Sequence, residues 1–212
     1  MDSSIVRLYL PYKEMLDEDM NRVISVSDLE LVKDKPESPL TNFLADLLLK
    51  EGARVAEEQQ IEVRPDLSFL NYGGIRSSLP KGEITVGNIF ELMPFENEMV
   101  FVKMEGEQIY AFLNYIATGR GGSVGGVKMV IDNDKATNVE VNGKKLDVDK
   151  SYWMVTNDYV AGGGDGLDVF QEKLQYINSG VKIRDVIIKH LEEMQKIGQH
   201  ISTKTDGRIK YE

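Results

Sequence analysis

Leu67-Ser68-Phe69-Leu70-Asn71-Tyr72-Gly73-Gly74-Ile75-Arg76 reads as an apolar strand running straight into a loop that sets an amide and a guanidinium beside two glycines. Glycine lets the backbone approach a ligand closely or adopt positive φ. Arginine grips planar or anionic oxygens through two parallel hydrogen bonds. A strand-end loop of this make-up suits a small anionic or polyhydroxyl ligand. Two later segments carry related chemistry. In Met93-Pro94-Phe95 a proline stiffens the approach to an aromatic ring, and in Tyr159-Val-Ala-Gly-Gly-Gly-Asp165-Gly166 an aromatic precedes three glycines and a carboxylate.

Outward from that strand, helical and extended patterns interleave without a repeat. Residues 4–20 carry Ile5, Leu8, Met15 and Leu16 among charges and read as a helix entered or broken at Pro11. Residues 22–32 alternate as a strand or extended pair. Ser38 or Thr41 caps a helix through Asn42–Gly52, with Phe43, Leu44, Leu47 and Leu48 on its apolar face. Ile61–Val63 and Leu67–Leu70 read as short strands, and Thr85–Leu92 as a helix-like turn. Glu98–Glu105 is a strand, and Glu107–Ala117 a helix presenting Ile109, Phe112, Leu113 and Ile116 inward. A glycine-rich turn from Gly119 to Gly126 leads to a strand at Val127–Ile131. Asn142-Gly143, between alternating runs, is the two-residue hairpin turn in which both residues need positive φ. Tyr152–Thr156 extends, Val181–Ile197 has helical spacing, and Arg208–Tyr211 closes the chain as a strand. Irregular interleaving with hairpins predicts a mixed α+β fold. Residues 1–29 read as a helical and extended N-terminal extension, and 30–212 as a single domain.

The 212 residues are 42% hydrophobic and 28% charged, an ordinary globular composition. The net charge of −10 repels polyanions, so nucleic-acid polymers and anionic membranes are poor partners, while a mononucleotide needs only local positive charge. With no cysteine, disulfides, thiol nucleophiles and thiolate metal ligands are ruled out. No apolar run approaches the roughly 18 residues of a membrane span. The opening Met1-Asp2-Ser3-Ser4-Ile5 lacks the basic and apolar regions of a signal peptide.

Several chemistries fall away on residue type and spacing. The two histidines, His190 and His200, cannot supply a dinuclear metal centre and read as solvated surface residues. No Gly-x-Ser-x-Gly elbow is present. Ser78-Leu79-Pro80-Lys81 matches a serine–lysine pattern, but Pro80 and Gly82 make it a polar turn rather than the start of a helix. Asp132-Asn133-Asp134 begins like a calcium loop, yet Ala136 and Thr137 stand where that geometry needs a ligand and a glycine, so a turn between strands is expected. Gly163–Phe170 matches one β-roll nonapeptide, a device that works only in stacked copies.

What remains is Asn71 and Arg76, Phe95, and Tyr159 with Asp165. Singly, each has a plain structural role open to it: Phe95 as core, Tyr159 as core or rim, Arg76 as a surface ion pair, Asp165 as a turn former. Together they are what a nucleoside pocket needs. A base stacked on aromatic rings gains about 1–3 kcal/mol, and a carboxylate accepts ribose hydroxyls.

In this combination and order the motifs resemble the C-terminal domain of 5'-nucleotidases. They are Asn71–Pro80, Gly87-Asn-Ile-Phe-Glu-Leu-Met-Pro-Phe95, the Val141–Leu146 hairpin and Thr156–Gly166, with Ser38–Asp46 similar to that domain's opening helix. The resemblance spans residues 30–175. It implies a layered α/β sandwich with mixed sheets. It implies that Phe95 and Tyr159 sandwich a base, that Asp165 binds ribose hydroxyls, and that Asn71 and Arg76, beside Gly73 and Gly74, hold the phosphate–ribose side. In such enzymes a separate N-terminal domain holds two metals and hydrolyses the phosphomonoester. The implied ligand is therefore a nucleoside or nucleoside 5'-monophosphate. Cofactors are expected to be none in this chain, with divalent metals in a partner metallophosphatase domain or chain, and location is expected in the periplasm or cell envelope. The sequence departs from the family at Lys33-Asp34-Lys35-Pro36, where another substrate-binding arginine is usual, and at Leu167, where an aromatic is common. A stand-alone nucleoside-binding module, a hydrolase acting by itself and a scaffold with a decayed pocket are the other readings of the same residues.

Overall fold

The computed structural model describes Lys13 and residues 15–212. The helix expected over residues 4–20 lies mostly outside that range, and residues 15–20 are helical. In chain order the strands are β1 (Val23–Ser27), β2 (Leu67–Leu70), β3 (Gly82–Thr85), β4 (Glu98–Glu105), β5 (Ser123–Gly125), β6 (Val127–Asp132), β7 (Lys135–Val141), β8 (Lys144–Lys145), β9 (Ser151–Asn157), β10 (Gln175–Lys182) and β11 (Ile209–Tyr211). The helices that follow residue 30 are α1 (Pro39–Glu58), α2 (Val86–Leu92), α3 (Gly106–Thr118), α4 (Asp158–Ala161) and α5 (Ile183–Lys196).

A five-stranded mixed sheet in the order β10-β4-β9-β2-β5 forms the middle layer, with β2 and β9 parallel and the other pairs antiparallel. All four residues of β2 are buried, because both faces of this sheet are covered. Successive side chains point to opposite faces. Leu67 and Phe69 join one core with Val100, Val102 and the inward face of α3. Leu70 joins the other with Phe101, Val155 and residues of α1 and α5. A four-stranded sheet, β11-β6-β7-β8, covers the outer side of α3, and β1 pairs with β3 to close the core that holds Leu70, Phe101 and Val155. The layered, mixed-sheet α+β architecture is thus the one the sequence implied. Strand β1 lies in the stretch read as an extension. It is built into the domain, with Ile24 only 1% exposed.

Local chemistry accounts for most boundaries. Ser38 caps α1 and forms a reciprocal box with Thr41, and Pro39 occupies the first turn. The helix expected to stop near Gly52 continues to Glu58. Gly52 is needed inside it, since a Cβ there would lie 2.8 Å from Val155 on β9, and Val55 and Ala56 carry the apolar face onward. Asn142 and Gly143 both have positive φ (50° and 70°) at the tip of the predicted hairpin. Asn133 and Asp134 form a second such turn between β6 and β7, as expected of the false calcium loop.

Other expectations fail for physical reasons. Ile61–Val63 is not a strand: the Val63 N–H bonds to Ile61 O at 2.7 Å in a three-residue turn, just before Arg64-Pro65. Strand β10 is not announced by the sequence, because it is a sheet edge with no apolar alternation. The short β3 and β5 stand where glycine-rich composition points to turn. His190 is not a solvated surface residue. It is 7% exposed, with Nδ1 at 2.7 Å from Glu51 Oε1. His200 is exposed, against Asp28.

Candidate functional site

Strand register brings three distant loops to one edge of the middle sheet. β2 and β9 run parallel, so the loops that leave their C-terminal ends, at Asn71 and Asn157, emerge side by side. β4 is antiparallel to β9 with Met99 opposite Asn157, so the segment leading into β4, Met93–Asn97, arrives at the same edge. A ligand crevice outside the carboxyl ends of parallel strands is the general expectation for such sheets.

Between the loops lies a cleft of about 340 Å³ lined by Asn71, Gly73, Gly74, Arg76, Phe95, Asn97, Tyr159 and Asp165. All seven residues named from the sequence therefore meet in one cavity. Phe95 and Tyr159 are each 48% exposed, so neither ring is spent on the core.

A chain of side-chain hydrogen bonds fixes the polar wall. Asn157 accepts from the Val160 N–H at 2.7 Å, capping α4, and donates through Nδ2 to Asn71 Oδ1 at 3.0 Å. Asn71 donates to Asp165 Oδ2 at 2.8 Å, and the Tyr159 hydroxyl donates to Asp165 Oδ1 at 2.9 Å. Two glycines make this possible. A Cβ on Gly74 would sit 2.7 Å from Asn71 Oδ1, and one on Gly164 would overlap the Tyr159 ring. Asp165 itself adopts φ 57°, a left-handed conformation that aspartate tolerates better than most residues.

Arg76 extends into solvent, its Nη1 donating to Gly73 O at 3.2 Å, and among the described residues no carboxylate lies within ion-pair distance of it. Beneath the loop, Lys33 Nζ donates to Tyr72 O at 3.0 Å and Ile75 O at 2.6 Å and lies 4.2 Å from the Tyr72 ring centroid. Partial burial, then the nearby charges of Arg76 and Lys35, hold its pKa below the usual lysine value. Lys33 is a clamp on the loop, a role its sequence position does not reveal. Lys35 lies over the same ring at 4.7 Å and donates to Gly119 O. Asn97 is a further lining residue that sequence reasoning misses. It belongs to no motif, and its place in the cleft follows only from standing two residues after Phe95.

A second cavity, of about 530 Å³, lies across the Asn71–Asp165 contact and shares Asn71, Gly73 and Asp165 with the first. Leu167 is part of its lining and 1% exposed. Among the described residues no three His, Asp or Glu side chains converge to hold a metal ion, and none of their helices is long and apolar enough to cross a membrane.

Comparison with known proteins agrees with this architecture. The chain is 27% identical over 201 residues to a 5'-nucleotidase of Vibrio vulnificus, a match covering 92% of this chain and 35% of that protein. It is 30% identical over 221 residues to a trifunctional nucleotide phosphoesterase of Bacillus subtilis, covering 94% of this chain and 14% of the relative. The solved structure of a 5'-nucleotidase precursor from Thermus thermophilus superposes with a TM-score of 0.81 at 27% identity, over 96% of this chain and 42% of that one. The chain thus spans about a third of the length of the Vibrio relative. Residues 20–172 match the family described as "5'-nucleotidase, C-terminal domain", and the chain belongs to that family.

Proposed function

We propose that this chain is the nucleoside- and nucleotide-recognition part of a 5'-nucleotidase-type phosphomonoester hydrolase. The observation that carries the reading is the convergence of two half-exposed rings, a carboxylate and a guanidinium without a carboxylate partner among the described residues on one cleft. Phe95 and Tyr159 sandwich the base. Asp165 accepts ribose hydroxyls. Asn71 and Arg76, with the close-approaching backbone of Gly73 and Gly74, hold the phosphate–ribose side. The chain's contribution to catalysis is positioning of the scissile phosphate, an entropic advantage that can be large. In this reading a metallophosphatase domain or chain supplies the divalent ions and the nucleophile, and the pair works in nucleotide breakdown in the periplasm or cell envelope.

The test is calorimetric titration of the chain with adenosine and AMP, followed by a phosphate-release assay with manganese or zinc present. We expect both ligands to bind and no phosphate to be released. Absence of binding removes the recognition reading. Turnover by this chain alone removes the division of labour. Release of phosphate only when a metallophosphatase is added separates a hydrolase component from a stand-alone binding module.

A further inference from the structure

Both oxygens of the Asp165 carboxylate are engaged within the protein, one by Asn71 and one by the Tyr159 hydroxyl. Each carboxylate oxygen offers about two lone-pair sites. One acceptance per oxygen is left, a pair matched to two neighbouring hydroxyls. Whether that pair faces the cleft depends on the backbone of Asp165, which sits among Gly163, Gly164 and Gly166. Gly163 and Gly166 take φ of 90° and 75°, and such a run has wide conformational freedom of its own. Two tyrosines restrain it. The Asp165 N–H donates to the Tyr159 hydroxyl at 3.2 Å, and the Tyr115 hydroxyl donates to the Asp165 carbonyl at 2.8 Å.

Tyr115 differs from every other partner of Asp165. It lies outside the first cleft and lines the second cavity, on the far side of the Asn71–Asp165 contact. It comes from α3, whose Phe112, Leu113 and Ile116 are packed in the core, so it ties a glycine-rich turn to a rigid element. Burial, and then the nearby Asp165 and Tyr159, push its pKa up from the ordinary tyrosine value.

We infer that Tyr115 is a positioning residue that fixes the Asp165 backbone and thereby sets the cleft's preference for a sugar carrying a vicinal diol. This rests on the assignment of Asp165 to the ribose in the proposed function. Loss of the Tyr115 hydroxyl leaves both bonds to the carboxylate and both stacking rings in place. The only thing it changes is how well the two free acceptor sites are aimed.

The experiment is a double-mutant cycle by calorimetry on the full chain, with adenosine and 2',3'-dideoxyadenosine as probes. Tyr115→Phe should weaken adenosine about three- to tenfold, the range of one hydrogen bond. It should leave dideoxyadenosine within about twofold and have no further effect in an Asp165→Ala background, since coupled residues are non-additive. Tyr115→Leu, which removes the hydroxyl and refills the second cavity differently, should give the same pattern. Equal losses on both ligands, or losses that add to Asp165→Ala, would overturn the inference, because a merely structural tyrosine weakens both alike. If wild-type protein fails to bind adenosine at all, the proposed function falls first, a result distinct from additivity in a protein that binds.

Discussion

The Asn157–Asn71–Asp165–Tyr159 chain at the cleft and the His190–Glu51–Arg54 cluster between α1 and α5 are made of similar polar parts and end differently. Glu51 is 1% exposed and receives His190 on one oxygen and Arg54 on the other, while Arg54 reaches on to Glu193 at 2.9 Å. That cluster joins two helices, with Glu51 and His190 buried at its centre and Arg54 and Glu193 partly exposed at its rim. The cleft chain begins equally buried, with Asn157 at 1% and Asn71 at 5% exposure, but it finishes on the exposed Asp165 and Tyr159. A network whose buried centre is fully paired within the protein holds elements together and is costly to break. An open one keeps acceptor sites free and presents them, in a fixed direction, to something outside.

Variants can break this contrast. The largest effect belongs to the rings: Phe95→Ala with Tyr159→Ala should remove about 3 kcal/mol of adenosine affinity, the upper end of 1–3 kcal/mol per stacked base, with little change in thermal midpoint. Calorimetry beside a melting curve reads both, and unchanged affinity would reject the sandwich. The mirror-image result is expected from Glu51→Leu. It strands the buried His190 and takes one of Arg54's carboxylates away, and should cost about 3 kcal/mol of stability, measured by urea titration, with adenosine affinity intact. Gly74→Ala should act on both sides of the comparison, since its Cβ pushes on buried Asn71. We expect about 1 kcal/mol lost in stability and a matching loss in affinity.

The smallest effect is in pH. Burial alone would raise the Glu51 pKa, but the His190 hydrogen bond and the Arg54 charge outweigh it and hold the group below its ordinary value of 4.5. A carboxylate depressed on folding stabilises the protein above its unfolded pKa and loses that contribution as the pH falls through the folded one. Wild-type stability should therefore decline below about pH 4.5, toward the depressed value, and Glu51→Gln should flatten that limb in urea titrations taken at a series of pH values.

The same contrast explains what the sequence could reveal. The cleft residues stand in loops rich in glycine, proline and aromatics, whose order along the chain is distinctive, so Asn71, Arg76, Phe95, Tyr159 and Asp165 are legible in the chain itself. Strand β4 and the Asn142-Gly143 turn are legible because alternation and positive-φ chemistry are local. Glu51 and His190 are not. They lie 139 residues apart, and each alone reads as a charged or polar residue on an amphipathic helix. Lys33 and Tyr115 act through long-range hydrogen bonds to backbone carbonyls, an interaction that leaves no mark on side-chain patterning. Strand β10 escapes because a sheet edge, paired on one side only, has no need of an apolar face.

The register of β4 against β9, with Met99 opposite Asn157, carries a consequence for how such a cleft can be altered. Distances across it are set by pairing inside the sheet rather than by the length of any crossover. Extra residues spliced between β7 and β8, at the far sheet, should pass unnoticed by the ligand. A single deletion within β4 would reverse the faces of the strand residues on one side of it and pull the segment that carries Phe95 out of place. The residue count of β4 and β9 is therefore tied to the geometry of the cleft in a way that the length of a distant loop is not.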